Sequence, residues 1–167
     1  MELVEGILHV DDLDGFVARL GEIGEQHGVT IQAFDARYVV DRAHLEKAVE
    51  LADRACERGE NIADDHAVEI LLYAAGRRQI NRALELGVDT GECPAVVVIH
   101  DFDGTGDERA AADAIRRLDV YASAETLGEY DTDRVREWFD VGDPERATGA
   151  DLSELVRERV ALLVVEK

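Results

Sequence analysis

The segment from Asp64 to Val88 reads Asp64-Asp-His-Ala-Val-Glu69-Ile-Leu-Leu-Tyr-Ala-Ala-Gly76-Arg-Arg-Gln79-Ile-Asn-Arg-Ala-Leu-Glu-Leu-Gly87-Val88. An apolar stripe at helical spacing leads to a lone glycine, and a compact group of basic and amide side chains follows. Glycine costs about 1 kcal/mol relative to alanine inside a helix. We therefore expect a helix from Asp65 to Ala75 that breaks at Gly76. A second helix is predicted from Arg77 to Leu86, with Gly87 as its end.

Five polar side chains after this glycine are the candidate binding residues of the chain. They are Arg77, Arg78, Gln79, Asn81 and Arg82. On a helical wheel of about 100° per residue, the arginines and the asparagine share one side. Ile80, Ala83 and Leu84 occupy the other side, which we expect to face a core. Guanidinium and amide groups near a helix N-terminus suit a phosphate backbone and the edges of splayed bases, as in the recognition of single-stranded RNA ends.

The same arginines have a purely structural interpretation. They lie on a solvated helix face and pair with the carboxylates of Glu85, Asp64 or Glu69. The chain carries 38 acidic and 18 basic residues, for a formal net charge of −20, so acidic partners are abundant. The two interpretations differ in whether the arginines contact RNA.

The acidic residues are spread along the whole chain and do not form a tail. We interpret this distribution as an adaptation to molar salt. Near 1 M salt the Debye length is about 3 Å, so net charge does not exclude an RNA partner. The sequence shows no signal peptide and no run of about 18 apolar residues, and Cys56 and Cys93 have no metal or redox spacing. We therefore expect a cytoplasmic protein with no membrane partner.

Aspartates and glycines mark the ends of the first helices. Asp11 or Asp12 is expected to cap a helix that ends at Gly28, and Asp41 to cap a helix that ends at Gly59. Three later helices follow from apolar spacing, and Gly142-Asp-Pro144 is expected to break the chain between the last two. The apolar positions of the later helices are Ala111, Ala114, Ile115 and Leu118, then Val135, Trp138 and Phe139, then Leu152, Leu155, Val156 and Val160.

Strands are predicted at Leu3 to His9, Thr30 to Val40 and Ala95 to Ile99. The last is continuous and β-branched, which is typical of a central strand covered on both faces. The C-terminal Leu162 to Val165 could form another strand. The element order β-α-β-α-α-α-β-α-α-α-(β) is too irregular for a doubly wound sheet and indicates an α+β fold, in one domain over residues 1–167.

The segment Val96 to Thr105 resembles the DxDGT signature of haloacid-dehalogenase-type phosphatases. In that chemistry Asp101 would attack phosphorus, Asp103 would act as acid and base, and both would help to hold Mg²⁺. A downstream lysine is also needed, but only Lys167 follows, and the 62 residues after Thr105 are too few for the remaining strands. We therefore interpret the segment as a polar loop whose aspartates cap the next helix, and keep the phosphatase as an alternative function.

No other pattern in the sequence indicates catalysis or metal binding. The chain lacks a phosphate-binding G-x-x-x-x-G-K-[ST] loop, a G-x-S-x-G nucleophile motif and a Cys/His constellation. Its histidines, His9, His27, His44, His66 and His100, have no mutual ligand spacing. We therefore expect no catalytic residue, no metal and no cofactor.

The residues Glu69 to Ile80, followed by Ala83-Leu84 and Gly87-Val88, resemble the signature of one family. It is the small kinase-binding regulatory subunit of the KEOPS (EKC) complex. Ile62-Ala63 and the C-terminal Glu158 to Leu162 also resemble that family, as does the order of elements across essentially the whole chain. The resemblance is firmest at Arg78, Gln79 and Ile80, because the family pattern is variable at position 77.

This resemblance implies a small mixed, largely antiparallel sheet flanked by about seven helices. It also implies a non-enzymatic function, without a cofactor or a small-molecule substrate. Such subunits dock on the small kinase/ATPase of the complex and stimulate it. In archaeal systems they bind the tRNA 3′ CCA end, and the complex installs threonylcarbamoyl on the adenosine beside the anticodon. An assembly subunit that binds only the kinase is a further alternative.

Overall fold

The computed structural model describes residues 1–142 and 151–166 of the 167-residue chain. The described strands are β1 (Glu2–Val10), β2 (Thr30–Asp35), β3 (Gly91–His100) and β4 (Tyr121–Ser123). The described α-helices are α1 (Leu13–His27), α2 (Arg42–Glu57), α3 (His66–Ala75), α4 (Ile80–Ala83), α5 (Glu108–Arg116), α6 (Thr132–Trp138) and α7 (Leu152–Glu166). Short 3₁₀ turns occupy Ala36–Tyr38 and Leu84–Leu86. The predicted α+β class is confirmed, and the described residues contain seven α-helices, as expected.

The four strands form one sheet in the order β2-β3-β1-β4. β3 pairs with β1 along its length, from Gly91 opposite Val10 to Ile99 opposite Glu2, and with β2 on its other side. Each strand pairing in the described residues is antiparallel, so the sheet there is wholly antiparallel and not mixed.

β3 is the central strand that its sequence predicts, covered on both faces. Its side chains alternate between two apolar cores because successive residues of a strand point to opposite faces. Val96 and Val98 pack into a core with α2, α3, α6 and α7. Val97 and Ile99 pack into a second core with α1 and α5. The sheet is therefore the middle layer between two groups of helices.

The predicted helix caps are confirmed. The Asp12 carboxylate accepts the Gly15 N–H at 3.1 Å, and the Asp41 carboxylate accepts the His44 N–H at 2.9 Å. Gly28 ends α1 in the left-handed conformation. Val17 of α1 is an exception among the large apolar side chains of this helix, because it is 57% exposed.

Three strand predictions differ from the structure. β2 ends at Asp35 and not at Val40, because the Asp35 carboxylate caps the following 3₁₀ turn through the Arg37 N–H. Leu162 to Val165 remain helical, since helical spacing buries Val160 and Leu163 in the core. β4 was not predicted, because three residues are too few for a readable alternation. The predicted break at Gly142 to Pro144 lies largely outside the described residues.

None of the helices in the described ranges is long and apolar enough to cross a bilayer.

A buried histidine is expected to make the stability of this fold depend on pH. His44 is fully buried, where its Nδ1 accepts the Val40 N–H at 3.4 Å and its Nε2 lies 2.8 Å from the Ala74 carbonyl oxygen. Burial lowers the pKa of His44, against the opposing effects of the Ala74 carbonyl and the Asp41 charge. The folded state therefore keeps this ring neutral, whereas the unfolded chain takes up a proton below its ordinary pKa of about 6.5.

Stability from His44 is thus present above about pH 6.5 and is lost as the pH falls. We expect this group to make the free energy of unfolding smaller at pH 5.5 than at pH 7.5. Denaturant unfolding across this range measures it, and the His44→Gln variant lacks the contribution while it keeps every other histidine. Parallel pH curves for the two proteins would contradict the prediction.

Candidate functional site

The end of α3 fixes the direction of the candidate binding segment. Gly76 adopts φ +63°, a left-handed conformation that glycine accepts readily. Its N–H bonds to the Tyr73 carbonyl at 3.1 Å, and the Arg77 N–H bonds to the Leu72 carbonyl at 3.1 Å. This is the Schellman arrangement of a helix C-terminus. The predicted break at Gly76 is confirmed, and the chain leaves α3 in a new direction there.

The predicted helix from Arg77 to Leu86 is wrong in its first turn. Residues 77–79 form a non-helical link, and α4 contains only Ile80–Ala83 before a 3₁₀ turn. Arg77 and Arg78 both precede the helix, so a helical wheel does not describe where their side chains lie. A single helical turn also has too small a dipole to support an anion site at its N-terminus.

The polar residues of this segment are largely exposed. Arg78, Gln79, Asn81 and Arg82 are exposed, and Arg77 is half-buried. The predicted core face is only partly right: Ala83 is fully buried, but Ile80 is 45% and Leu84 is 56% exposed. One helical turn buries one face only, and here Ala83 and the following Leu86 fill it. The surface therefore presents two apolar side chains among its polar ones.

Arg77 is anchored to the protein through Trp138 at the end of α6. Its guanidinium carbon lies 4.5 Å from the centre of the Trp138 ring, and its Nη2 donates to the Trp138 carbonyl oxygen. The Trp138 indole N–H in turn donates to the Ala75 carbonyl at 2.9 Å. These contacts tie the end of α3 to α6, and they hold the start of the Arg77–Arg82 segment in place.

A polar cleft of about 630 Å³ opens beside this anchor. Its walls carry charges of both signs. The basic side chains are Arg77, Arg82 and Arg134, and the acidic side chains are Glu85, Asp131, Asp133 and Glu137, with Tyr38 and Trp138 between them. Arg82 lies 6.0 Å from the Trp138 ring centre, and burial raises the pKa of Tyr38. The cleft can therefore bind groups through both cations and carboxylates.

Glu69 does not pair with the arginines, contrary to one of the partners proposed from the sequence. Its side chain is fully buried, and its carboxylate accepts the Ala63 N–H at 2.8 Å and the Ile62 N–H at 3.0 Å. Glu69 thus satisfies the backbone of the loop that enters α3. This contact joins Ile62-Ala63 to Glu69, which belong to two separate segments that resemble the family pattern.

The C-terminal residues that resemble the family pattern also lie close to the end of α3. The carbonyl oxygen of Arg159 in α7 lies 3.4 Å from the position that a Cβ on Gly76 would take. The Arg159 side chain donates to the Phe139 carbonyl at 3.1 Å. Residues that resemble one family pattern are therefore neighbours in space, around the end of α3.

The aspartates of the phosphatase-like loop have local structural partners. The two carboxylate oxygens of Asp101 accept the N–H groups of Gly104 and Gly106, at 2.8 and 2.9 Å. Asp107 caps α5 through the Ala110 N–H at 3.0 Å, and Asp103 is exposed. These contacts fit the polar-loop interpretation, because the oxygens of Asp101 are occupied by its own loop.

The fold brings together three titratable residues that the sequence spacing left apart. Asp53 of α2 lies between His66 at the start of α3 and His100 at the end of β3. The Asp53 carboxylate oxygens are 2.8 Å from His66 Nε2 and 2.6 Å from His100 Nε2. No local motif signals this cluster, since its members are separated by 13 and 34 residues.

Comparison with known families identifies the chain. The family model described as "Kinase binding protein CGI-121" matches residues 17–163, which include every helix from α2 to α6 and most of the sheet. A search of the curated proteins finds no match. Because the matched region covers most of the chain and the resembling residues converge around α3, the protein belongs to the CGI-121 family of kinase-binding proteins, the small regulatory subunits of the KEOPS complex.

Proposed function

We propose that this chain binds the 3′ CCA end of tRNA while it is docked on the small kinase/ATPase of the KEOPS complex, and that it stimulates that partner. Its role is non-catalytic: it presents tRNA to the enzyme complex that forms threonylcarbamoyladenosine. Membership of a kinase-binding family supports the docking half of the proposal. The surface around Arg78 supports the RNA half.

The observation that carries the RNA half is the exposure of four neighbouring side chains on a non-helical link and a single helical turn. They are Arg78, Gln79, Asn81 and Arg82. A guanidinium group forms bidentate hydrogen bonds to phosphate, and an amide can both donate to and accept from a base edge. Exposed Ile80 adds an apolar surface beside them. This mixture suits a short single strand with unstacked bases.

In this proposal Arg77 has a different role from its neighbours. Its guanidinium covers the Trp138 ring and donates to the Trp138 carbonyl, so it positions the segment and adds positive charge at the rim. Arg78 is exposed in the middle of the link, and we propose it as the main phosphate contact. Gln79, Asn81 and Arg82 complete the surface.

A second candidate function is kinase docking without RNA binding. It is favoured by the carboxylates of Asp131, Asp133 and Glu137, which line the same cleft as Arg77 and Arg82. Carboxylates repel a phosphate backbone and suit a basic protein surface instead. In that case the segment from Arg77 to Arg82 would contact the kinase or the chain's own acidic residues.

The acidic residues along the chain determine the salt concentration at which the two candidate functions should be tested. We propose that the protein works in a cytoplasm with molar salt, where long-range repulsion between an acidic surface and RNA is screened within about 3 Å. Binding would then depend on short-range contacts such as bidentate arginine hydrogen bonds.

The decisive experiment compares two tRNA forms with the purified protein in molar KCl. Labelled tRNA that carries its 3′ CCA is expected to bind, and the same tRNA without CCA is expected to bind much more weakly. A parallel assay measures ATP hydrolysis by the kinase partner, which should increase when the protein is added. Stimulation of the kinase without any tRNA binding would instead establish the docking function alone.

A further inference from the structure

The cluster of Asp53, His66 and His100 has the composition and the spacing of a metal site. One ligand atom from each of the three residues lies within 4.8 Å of the other two. The three side chains are between 15% and 23% exposed, so they are largely shielded from water. They come from α2, α3 and β3, which hold them from three directions.

Hydrogen bonding within the cluster leaves His100 Nδ1 facing a carboxylate and not a hydrogen-bond donor. His100 Nε2 faces Asp53, which places a proton on that nitrogen and a bare lone pair on Nδ1 of a neutral ring. Nδ1 is buried without a hydrogen-bond partner in the described ranges, and the Glu108 carboxylate lies 4.0 Å from it. A lone pair and a carboxylate repel each other, so this geometry favours a proton on Nδ1, which in a neutral ring leaves the Nε2 lone pair to bind a cation at the centre of the cluster.

We propose that Asp53, His66 and His100 bind one divalent transition-metal ion, for which Zn²⁺ is the best-suited species. With the metal on Nε2, the His100 proton moves to Nδ1 and faces Glu108. This is the carboxylate–histidine–metal arrangement that orients such ligands in proteins. Two imidazoles and one carboxylate are a common ligand set for Zn²⁺, with a further position left for water.

The surroundings of His66 support the same conclusion. Its Nδ1 lies 3.2 Å from the Cys56 sulfur, which can accept a hydrogen bond from the Nδ1–H of a metal-bound ring. The Phe102 ring stacks on His66 at 4.4 Å between centres and limits its rotation. His66 therefore has both a stacking neighbour and a partner for its second nitrogen, whereas His100 Nδ1 would gain its partner, Glu108, only with the metal bound.

Only small side-chain shifts convert the hydrogen-bonded cluster into a metal site. Metal–ligand distances of about 2.1 Å place tetrahedral ligands about 3.4 Å apart. The Asp53 oxygens now lie 2.6 and 2.8 Å from the two imidazole nitrogens, so each contact must lengthen by less than the length of a bond. His66 and Phe102 also line a groove of about 950 Å³, which gives an ion a route from solvent.

This proposal goes beyond the proposed function and does not depend on it. The cluster lies on elements other than the Arg77–Arg82 segment, and a bound ion would connect α2, α3 and β3. The expected consequence is a higher unfolding temperature in the presence of the metal, because an ion that binds only the folded state stabilises it.

The test uses untagged full-length protein, because a polyhistidine tag binds the same ions. Equilibrium dialysis against Zn²⁺ is expected to give one retained ion per chain. A Co²⁺ titration is expected to give the visible absorption of a low-symmetry site, which Zn²⁺ then abolishes. Both measurements use the wild-type protein, so they remain informative if a variant fails to fold.

Variants locate the site. His66→Gln, His100→Gln and Asp53→Asn should each weaken Zn²⁺ binding by about a hundredfold or more, and Glu108→Gln by about tenfold. His9→Gln is the matched control, since His9 is exposed on β1 and should leave binding unchanged. Retention of no ion, or equal retention by all variants, would overturn the proposal. So would nuclear magnetic resonance evidence that His100 carries protons on both nitrogens with equimolar Zn²⁺ present.

Discussion

Replacing Glu69 with alanine is expected to lower the free energy of unfolding by about 3 kcal/mol. The Glu69 side chain is fully buried, and its carboxylate accepts the N–H groups of Ile62 and Ala63. Hydrogen bonds to a charged group contribute about 1.5–3 kcal/mol each, and a buried donor left without its acceptor costs about 1–3 kcal/mol. The variant removes the acceptor, so the N–H groups of the loop before α3 lose their hydrogen-bond partner.

Denaturant unfolding of the Glu69→Ala protein measures this loss. Glu69→Gln keeps an acceptor oxygen of similar shape, so it should lose less than Glu69→Ala. Glu57→Ala is the matched control, because Glu57 is exposed at the end of α2 and its removal should change stability by no more than about 0.5 kcal/mol. Equal stabilities for Glu69→Ala and Glu57→Ala would show that the carboxylate does not support the loop.

Replacing Arg78 with alanine is expected to weaken binding of CCA-ended tRNA by about tenfold, with little change in the unfolding temperature. The proposed contact is a bidentate hydrogen bond from an exposed guanidinium group, and one such contact accounts for a loss of this size. The residue lies on the surface of a non-helical link, so the core does not depend on it. Titration of labelled tRNA in molar KCl measures the affinity.

Two further variants separate RNA contact from general effects. Arg109→Ala removes an exposed arginine from α5, which packs against the opposite face of the sheet, and it should leave tRNA affinity unchanged. Arg77→Ala should lower stability by about 1–2 kcal/mol, because it removes the contacts with the ring and the carbonyl of Trp138. An Arg78→Ala protein with wild-type affinity would remove Arg78 from the proposed site.

Local signals in the sequence were sufficient for most of the helix ends and for the central strand. Asp12 and Asp41 cap their helices because a short carboxylate reaches the free N–H groups of the first turn. Gly76 ends α3 because the left-handed conformation there suits a residue without a side chain. β3 was recognisable because both of its faces are buried, which requires a continuous apolar run.

The errors occur where packing decided the outcome. Arg77 and Arg78 have ordinary helix propensity, but the chain direction set by Gly76 and the contact with Trp138 hold this part of the segment out of a helix. Ile80 and Leu84 lie on the predicted apolar face, but a single turn could bury only Ala83. The contact with Trp138 depends on α6, which lies more than fifty residues away in the sequence, so no local pattern predicts it.

The sequence by itself determined the α+β class, the ends of the main helices, the central place of β3 and the family to which the segment from Glu69 to Ile80 points. These properties follow from short-range chemistry: periodicity, capping and backbone freedom. Only the tertiary structure decided that Glu69 faces a loop, that Arg77 is held by Trp138, and that Asp53, His66 and His100 meet. Those contacts join residues far apart in the chain, and their geometry exists only once the helices have packed on the two faces of the sheet.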